Sequence, residues 1–276
     1  MKYDIIISIN VHNNLKYLLE QIKNINEFVP LKKRIILNCN DFMFEQMKSV
    51  VSEDVEVFPE PLNKKTFHGS LTHGIACNMS HALNNYQFDY FLVMASRDVF
   101  YRVLDDTSEI EKHIINENNI QVGHVDFGVP NFYKPGNYCK VKNVDHIPWQ
   151  NSKYFPFNEH LDRVDIWWWP KFSQTQLYQY IEKNNMSFAH SMHEGVCYRY
   201  DGCEYIMDFF QENENIMHEL FNFDGCVEEF ALQSIASNYK GFYYIGNGCD
   251  TKSDPNYNDY NLPQLDPTKF TYKRER

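Results

Sequence analysis

The first sixty residues alternate apolar runs with stretches of amphipathic spacing. A run of β-branched residues covers 4–11, and leucine and isoleucine then recur at helical spacing over 15–28. Two further apolar runs, at 34–38 and 55–58, predict strands, with a short helix between them around 44–51. This β-α-β-α-β order predicts an α/β fold with a parallel sheet of the doubly wound kind.

The pattern continues less regularly along the rest of the chain. A polar loop over 63–74 leads to a helix predicted at 75–85, and the apolar run 89–94 predicts a fourth strand. The aromatic, proline-interrupted segment 120–175 predicts only short strands, and the tail from Gly246 onward predicts loop. Further helices are predicted at 105–118, 173–184, 202–212 and 227–238.

Composition and charge exclude several classes of protein. The chain has 276 residues, 43% of them hydrophobic and 16% aromatic, which is enough to form a core and excludes dominant disorder. Its net charge of −11 argues against a nucleic-acid binder. No apolar run is long enough to span a membrane, and no signal peptide is recognisable. The seven cysteines form no C-x-x-C pair, so we expect reduced thiols and a cytoplasmic protein.

The first candidate for chemistry follows the fourth strand. In doubly wound sheets ligands bind beyond the carboxyl ends of the strands, and Ser96-Arg97-Asp98 stands at such an end. A hard divalent cation needs several oxygen ligands, and the single carboxylate of Asp98 makes this a poor metal site. Two interpretations stay open here, contact with a bound diphosphate and simple capping of the turn by Asp98.

A second candidate is the pair of glutamates in Val227-Glu228-Glu229-Phe230. Acidic residues near a helix N-terminus are stabilised by its dipole, which is the structural interpretation. The functional interpretation makes one of them a general base that deprotonates a hydroxyl group. Since Phe230 belongs to the core side, Glu228 or Glu229 faces a cleft.

Two other motifs bear on ligand binding. Three tryptophans precede Pro170, and at least one of them is expected to be exposed, either to stack on a sugar ring or to pack at a contact. His193-Glu194-Gly195 lacks the second histidine of a zinc-protease helix. A Walker loop, a dinucleotide fingerprint and a nucleophile elbow are also missing, which weakens ATPase, dehydrogenase and hydrolase interpretations.

Four segments, taken in chain order, resemble the core-2/I-branching β-1,6-N-acetylglucosaminyltransferases and their peptide O-xylosyltransferase relatives. Ile9 to Asn13 resembles the opening strand of that family, which ends in Val-His. His68 to Thr72 is similar to its Ser-Trp stretch before a helix. Tyr90 to Phe100 resembles its strand and acidic turn, and Val227 to Ser234 resembles its Pro-Asp-Glu segment.

The resemblance implies a GT-A type fold, a Rossmann-like nucleotide-sugar-binding domain with a mixed, mostly parallel central sheet flanked by helices. It further implies an inverting, metal-independent transfer from a UDP-sugar, with no cofactor apart from that donor. Glu229 would then be the catalytic base, and basic groups would neutralise the departing diphosphate. The remaining expected residues are Val11, His12, Ser96, Arg97 and Asp98 for the donor, Lys240, Lys252, Lys269 and Lys273 for the diphosphate, and Trp167, Trp168, Trp169 and Glu194 for the acceptor.

We therefore expect one domain, with a donor-binding half over 1–105 and an acceptor-binding half over 106–276. The expected partners are a nucleotide sugar, a glycan acceptor and a second copy of the chain in a homodimer. Glu194 is the second choice for the base. Two alternatives are a Mn²⁺-dependent transferase, in which Asp98 and another acid bind the metal, and a non-catalytic glycan-binding protein.

Overall fold

The computed structural model describes residues 2–11, 14–62, 67–111, 131–133, 174–184, 186, 188–190, 193–224, 227–236, 238–239, 244–245, 249–250 and 270–273. The strands in these ranges are β1 Lys2–Val11, β2 Lys33–Cys39, β3 Val55–Val57, β4 Gln87–Ala95, β5 Asp98–Phe100, β6 Asn131–Tyr133, β7 Phe188–His190, β8 Cys197–Arg199, β9 Tyr244–Ile245, β10 Cys249–Asp250 and β11 Thr271–Lys273. The α-helices are α1 Leu15–Phe28, α2 Asp41–Met47, α3 Phe67–Asn85, α4 Ser108–Glu111, α5 Gln176–Lys183, α6 Tyr200–Glu212, α7 Glu214–Phe221 and α8 Ala231–Ala236. Short 3-10 helices cover Lys48–Val50 and Val227–Glu229.

A six-stranded sheet lies at the centre, in the order β3-β2-β1-β4-β8-β9. The first four strands are parallel to one another, whereas β8 is antiparallel to both β4 and β9. Smaller sheets have the orders β10-β11-β5 and β6-β7. The expected α/β class, with a mixed and mostly parallel sheet flanked by helices, is confirmed.

The burial of β1 explains why its sequence is continuously apolar. Every residue from Ile5 to Val11 is buried, because helices cover both faces of the sheet. Ile5 and Ile7 pack into a core that includes α1 and α2. Ile6 points to the other face and packs into the core formed with α3, α5, α6, α7 and α8.

The start of α3 corrects the sequence-based boundaries. The helix begins at Phe67 rather than at residue 75, so the prediction of a loop over 63–74 is wrong for the part that the helix covers. Glycine and polar residues in this stretch indicate loop on local propensity alone. Tertiary contacts override that preference, because the first turns of α3 lie against Asn10 through Leu71 and Gly74.

The segment from Gly246 onward also differs from its prediction. The sequence predicts loop from Gly246 onward, yet β10 and β11 form there, and β11 pairs with β5. Strands of two or three residues are too short to show a period in the sequence, which is also why β8 escapes prediction. α7 was not predicted either. No helix within the described ranges has the length and apolar character needed to cross a membrane.

Candidate functional site

The strand order creates a crevice between the carboxyl ends of β1 and β4. From β1 the chain moves to β2 and β3 on one side, and then returns to place β4 on the other side of β1. Such a reversal of strand order is where open α/β sheets bind ligands. Asn10 lies opposite Ala95 across this pair, and Val11 is the last residue of β1. The structure therefore brings Val11 and the Ser96–Asp98 turn to the same edge of the sheet.

The turn from β4 to β5 is held by its own aspartate. Asp98 is fully buried, and its Oδ2 accepts a hydrogen bond from the backbone N–H of Ala95 at 2.7 Å. This contact supports the turn-capping interpretation of Asp98. Ser96 and Arg97 occupy the tip between the two strands and are partly exposed.

Two carboxamide side chains of α1 hold this turn through hydrogen bonds to its backbone. Neither was predicted from the sequence. Gln21 is 0% exposed, and its Nε2 donates to the backbone oxygens of Ala95 and Asp98 at 2.8 and 2.7 Å. The opposite amide orientation would place Oε1 against two carbonyl oxygens, so the contacts fix the assignment. Asn24 donates to the Phe100 oxygen at 2.9 Å and accepts from the Phe100 N–H at 2.7 Å. The α1 clamp, meaning Gln21 and Asn24, thus fixes the backbone on both sides of Arg97.

Two basic residues have their backbones at this edge. Arg97 is partly exposed and forms neither an ion pair nor a hydrogen bond with the residues that the structure describes. Lys273 lies opposite Asp98 in the antiparallel pair of β11 and β5. The backbone of Lys273, one of the four lysines expected to bind the diphosphate, is therefore beside the turn.

A buried amide cluster anchors α3 at the same edge. Asn38 Nδ2 donates to Asn10 Oδ1 and, at 2.9 Å, to the Gly74 oxygen. Asn10 Nδ2 donates to the Leu71 oxygen at 3.0 Å. A Cβ on Gly74 would lie 2.6 Å from Asn38 Oδ1 and would also overlap Asn10 Oδ1, so only glycine permits this close approach. The cluster places the first turns of α3 against the ends of β1 and β2.

Glu194 lies in the turn that leads into β8, the strand that flanks β4 on the side away from β1. Gly195 has a φ of 76°, and its N–H donates to the Val93 oxygen at 2.8 Å, which fixes the turn against the last residues of β4. Glu194 is 1% exposed, and its Oε2 lies 3.4 Å from His193 Nδ1. The structure thus places this carboxylate near the same edge as the Ser96–Asp98 turn.

The predicted base belongs to the 3-10 helix at Val227–Glu229, which packs against α3. Glu228 is buried at 3% exposure, and its backbone oxygen accepts a hydrogen bond from Gln233 Nε2 at 2.9 Å. The side chain of Glu229 lies outside the part of the chain that the structure describes, so its assignment as the base stays a prediction. Other predicted site residues lie outside the described residues, and these are His12, Trp167, Trp168, Trp169, Lys240, Lys252 and Lys269.

A second polar cluster lies away from this edge and joins β2, β3 and the end of α3. Glu56 lies 3.3 Å from His81 Nε2 and accepts a hydrogen bond from Tyr86 Oη at 2.6 Å. Arg34 is 3.8 Å from the same carboxylate. Burial alone would raise the pKa of Glu56 above its usual 4.5, but the contacts with His81 and Tyr86 and the nearby charge of Arg34 outweigh it, so this pKa is lowered.

Comparison with known proteins gives limited further information. No model of a protein family matches the sequence, and no curated protein matches it either. Among solved structures, the fold is similar to the Mn/GDP form of core-mannan synthase A from Aspergillus fumigatus. The two chains are 13% identical, the match covers 85% of this chain and 69% of the other, and the TM-score is 0.38. At that TM-score the likeness assigns no residue and no substrate.

The same comparison corrects one expectation. The prediction that the protein needs no cofactor is contradicted, because the similar structure is a Mn/GDP form. The described residues do not, however, fit a metal ion, since no group of three His, Cys, Asp or Glu side chains occurs among them. Asp98 in particular uses one carboxylate oxygen to cap its own turn. The assignment to the core-2/I-branching family stays a prediction.

Proposed function

We propose that this protein is a glycosyltransferase that moves a sugar from a UDP-sugar to a hydroxyl group of a glycan. The observation that supports this function is the crevice at the carboxyl ends of β1 and β4, where Val11 and the Ser96–Asp98 turn meet. Residues 1–105 then form the half that binds the donor, and residues 106–276 form the half that binds the acceptor.

The basic residues whose backbones lie at the crevice are suited to a diphosphate. Arg97 stands at the tip of a turn whose backbone is fixed on both sides by Gln21 and Asn24, so the guanidinium is presented from a rigid base. Arginine is well suited to phosphate oxygens because its planar fork donates two parallel hydrogen bonds. In the proposal, Arg97 and Lys273 take up the negative charge of the leaving UDP, and Val11 lines the nucleotide pocket.

The proposed reaction is a single displacement at the anomeric carbon. Glu229 accepts the proton of the acceptor hydroxyl while that oxygen forms the new bond to the anomeric carbon. The bond from this carbon to the diphosphate oxygen breaks on the opposite face, and its electron pair leaves with UDP, so the configuration inverts. Glu194 is the second candidate for the base, and the tryptophans at 167–169 are assigned to the acceptor side.

The test is calorimetric titration of UDP, GDP and uridine into the full chain, each with and without Mn²⁺. We expect UDP to bind more tightly than uridine, because only UDP carries the diphosphate that Arg97 would contact. Arg97→Gln should weaken UDP binding by about 10- to 150-fold and leave uridine binding unchanged, since one charge-assisted hydrogen bond contributes about 1.5–3 kcal/mol.

Arg199→Gln is the matched control. Arg199 lies opposite Tyr90, five residues before the end of β4 and so about 17 Å from the crevice along the strand. Binding of GDP without UDP would overturn the assigned donor. If neither nucleotide binds under any condition, the nucleotide-sugar site is refuted. An equal loss of UDP binding in both arginine variants would remove Arg97 from the site.

A further inference from the structure

A groove outside the crevice runs between α5 and the junction of α6 with α7. The groove is open to solvent and has a volume of about 570 Å³, and ligand sites usually have about 300–1,000 Å³. We propose that this groove binds a neutral oligosaccharide as a remote part of the glycan acceptor. The identity of the ligand as an acceptor rests on the proposed transferase function.

The lining of the groove favours a neutral, hydroxyl-rich ligand. Half of its ten lining residues carry carboxamides, which both donate and accept hydrogen bonds as sugar hydroxyl groups do. These residues are Gln176, Gln179, Gln211, Asn213 and Asn215. The charged residues of the lining are one lysine and two glutamates, so no cluster of positive charge selects an anion. A lining so rich in polar groups also does not suit a lipid chain.

Three of the carboxamides have hydrogen-bonding capacity left for a ligand. Asn213 Nδ2 already donates to the Phe209 oxygen at 2.8 Å. By contrast, the exposed side chains of Gln176, Gln211 and Asn215 make no hydrogen bond to any residue that the structure describes. They can therefore exchange water for sugar hydroxyls without breaking a contact within the protein.

Tyr180 adds a flat apolar surface to the groove. Its ring meets Phe209 edge to face, with centroids 5.2 Å apart and planes at 88°, so its orientation is fixed by packing. The ring is only partly buried. An aromatic ring held in this way can pack against the C–H face of a sugar while the carboxamides contact its hydroxyl groups.

The groove is connected to the proposed active site by α7 and by the part of α3 that α7 contacts. α7 begins at the groove and spans eight residues, about 12 Å. Phe221 at its other end stacks on His73, with centroids 4.5 Å apart and planes at 19°. His73 directly precedes Gly74, which lies against Asn10 at the end of β1. The groove is therefore at a distance that an extended oligosaccharide can span from the crevice.

The test uses saturation-transfer NMR and calorimetry on the full chain with four neutral trisaccharides, namely maltotriose, mannotriose, galactotriose and triacetylchitotriose. We expect at least one of them to bind. The double variant Gln176→Ala/Gln211→Ala should weaken that binding by about tenfold, because it removes two hydrogen-bonding side chains. Asn215→Ala, a second variant of an exposed residue, should weaken it in the same direction.

Gln46→Ala on α2 is the matched control, since it removes an exposed glutamine outside the groove. The proposal is overturned if no trisaccharide binds or if binding survives in both groove variants. UDP is titrated into the same samples to separate the two proposals. Binding of UDP without any trisaccharide refutes the groove alone. Trisaccharide binding that depends on the groove, without UDP binding, supports the groove as a glycan site and refutes the transferase.

Discussion

The α1 clamp leads to the sharpest prediction about the crevice. Replacing Gln21 by methionine keeps the length and most of the volume of the side chain but removes both of its hydrogen bonds to the β4–β5 turn. The variant leaves the backbone oxygens of Asp98 and Ala95 without the amide that donates to them. Water replaces this donor poorly, because the contact at Asp98 is buried and the contact at Ala95 is partly buried. The free energy of unfolding should fall by about 2–3 kcal/mol, since each stranded acceptor costs about 1–3 kcal/mol and the Ala95 oxygen is nearer the low end.

Two measurements check this prediction. Urea denaturation followed by circular dichroism gives the change in the free energy of unfolding. Amide hydrogen exchange reports the turn directly, because the Ala95 N–H is held by Asp98 Oδ2 and should exchange faster once the turn is loosened. If Arg97 binds UDP from this turn, the affinity for UDP falls in the same variant.

Gln46→Met provides the control, because it makes the same chemical change at an exposed helical glutamine whose side chain donates a hydrogen bond 3.5 Å long to the Phe42 oxygen. The free energy of unfolding of that variant should lie within about 0.5 kcal/mol of the wild-type value. If Gln21→Met behaves like the control in both measurements, then Gln21 does not fix the turn. Loss of stability with unchanged exchange at Ala95 would mean that the side chain contributes only packing.

Three further predictions concern other parts of the fold. Gly74→Ala should lower the free energy of unfolding by about 1–3 kcal/mol in urea denaturation, since the new methyl group would overlap the amide of Asn38; an unchanged midpoint would show that the helix can shift at no cost. Glu56→Gln should lower the free energy of unfolding at pH 7, and the difference from the wild type should shrink as the pH falls below 4.5, because a carboxylate with a lowered pKa loses its contribution when it is protonated. A difference in the free energy of unfolding that does not change with pH would contradict this. Glu229→Gln should reduce sugar transfer by about 10²–10⁴-fold while UDP binding is retained, and near-normal turnover would move the role of base to Glu194.

The central strands could be predicted from the sequence because their burial leaves a pattern. β1 is covered on both faces, and the resulting continuous apolar run shows directly in the sequence. The first turns of α3 could not be predicted in this way. Their helical state depends on contacts of Leu71 and Gly74 with asparagines of two strands, and such contacts have no local signature.

The residues of the candidate site likewise differ in whether the sequence predicts them. The position of Asp98 after an apolar strand indicated the edge of the sheet where the site lies. Gln21 gave no signal, because a glutamine in an amphipathic helix is read as a surface residue until the turn that it holds is known. Lys273 was one of four candidate lysines, and only the pairing of β11 with β5 brings its backbone beside Asp98.

That pairing also has a consequence for the order of folding during synthesis. Asp98 and Lys273 are 175 positions apart, so β5 is translated long before the strand with which it pairs. At about 5–20 residues per second, the ribosome needs about 10–35 s to synthesise the intervening chain. During that time the parallel core of β1, β2 and β4 can already form, because its strands all lie within the first 95 residues. The α1 clamp can therefore hold the β4–β5 turn before β11 is made, whereas the edge of β5 that pairs with β11 stays open until the last part of this chain is synthesised.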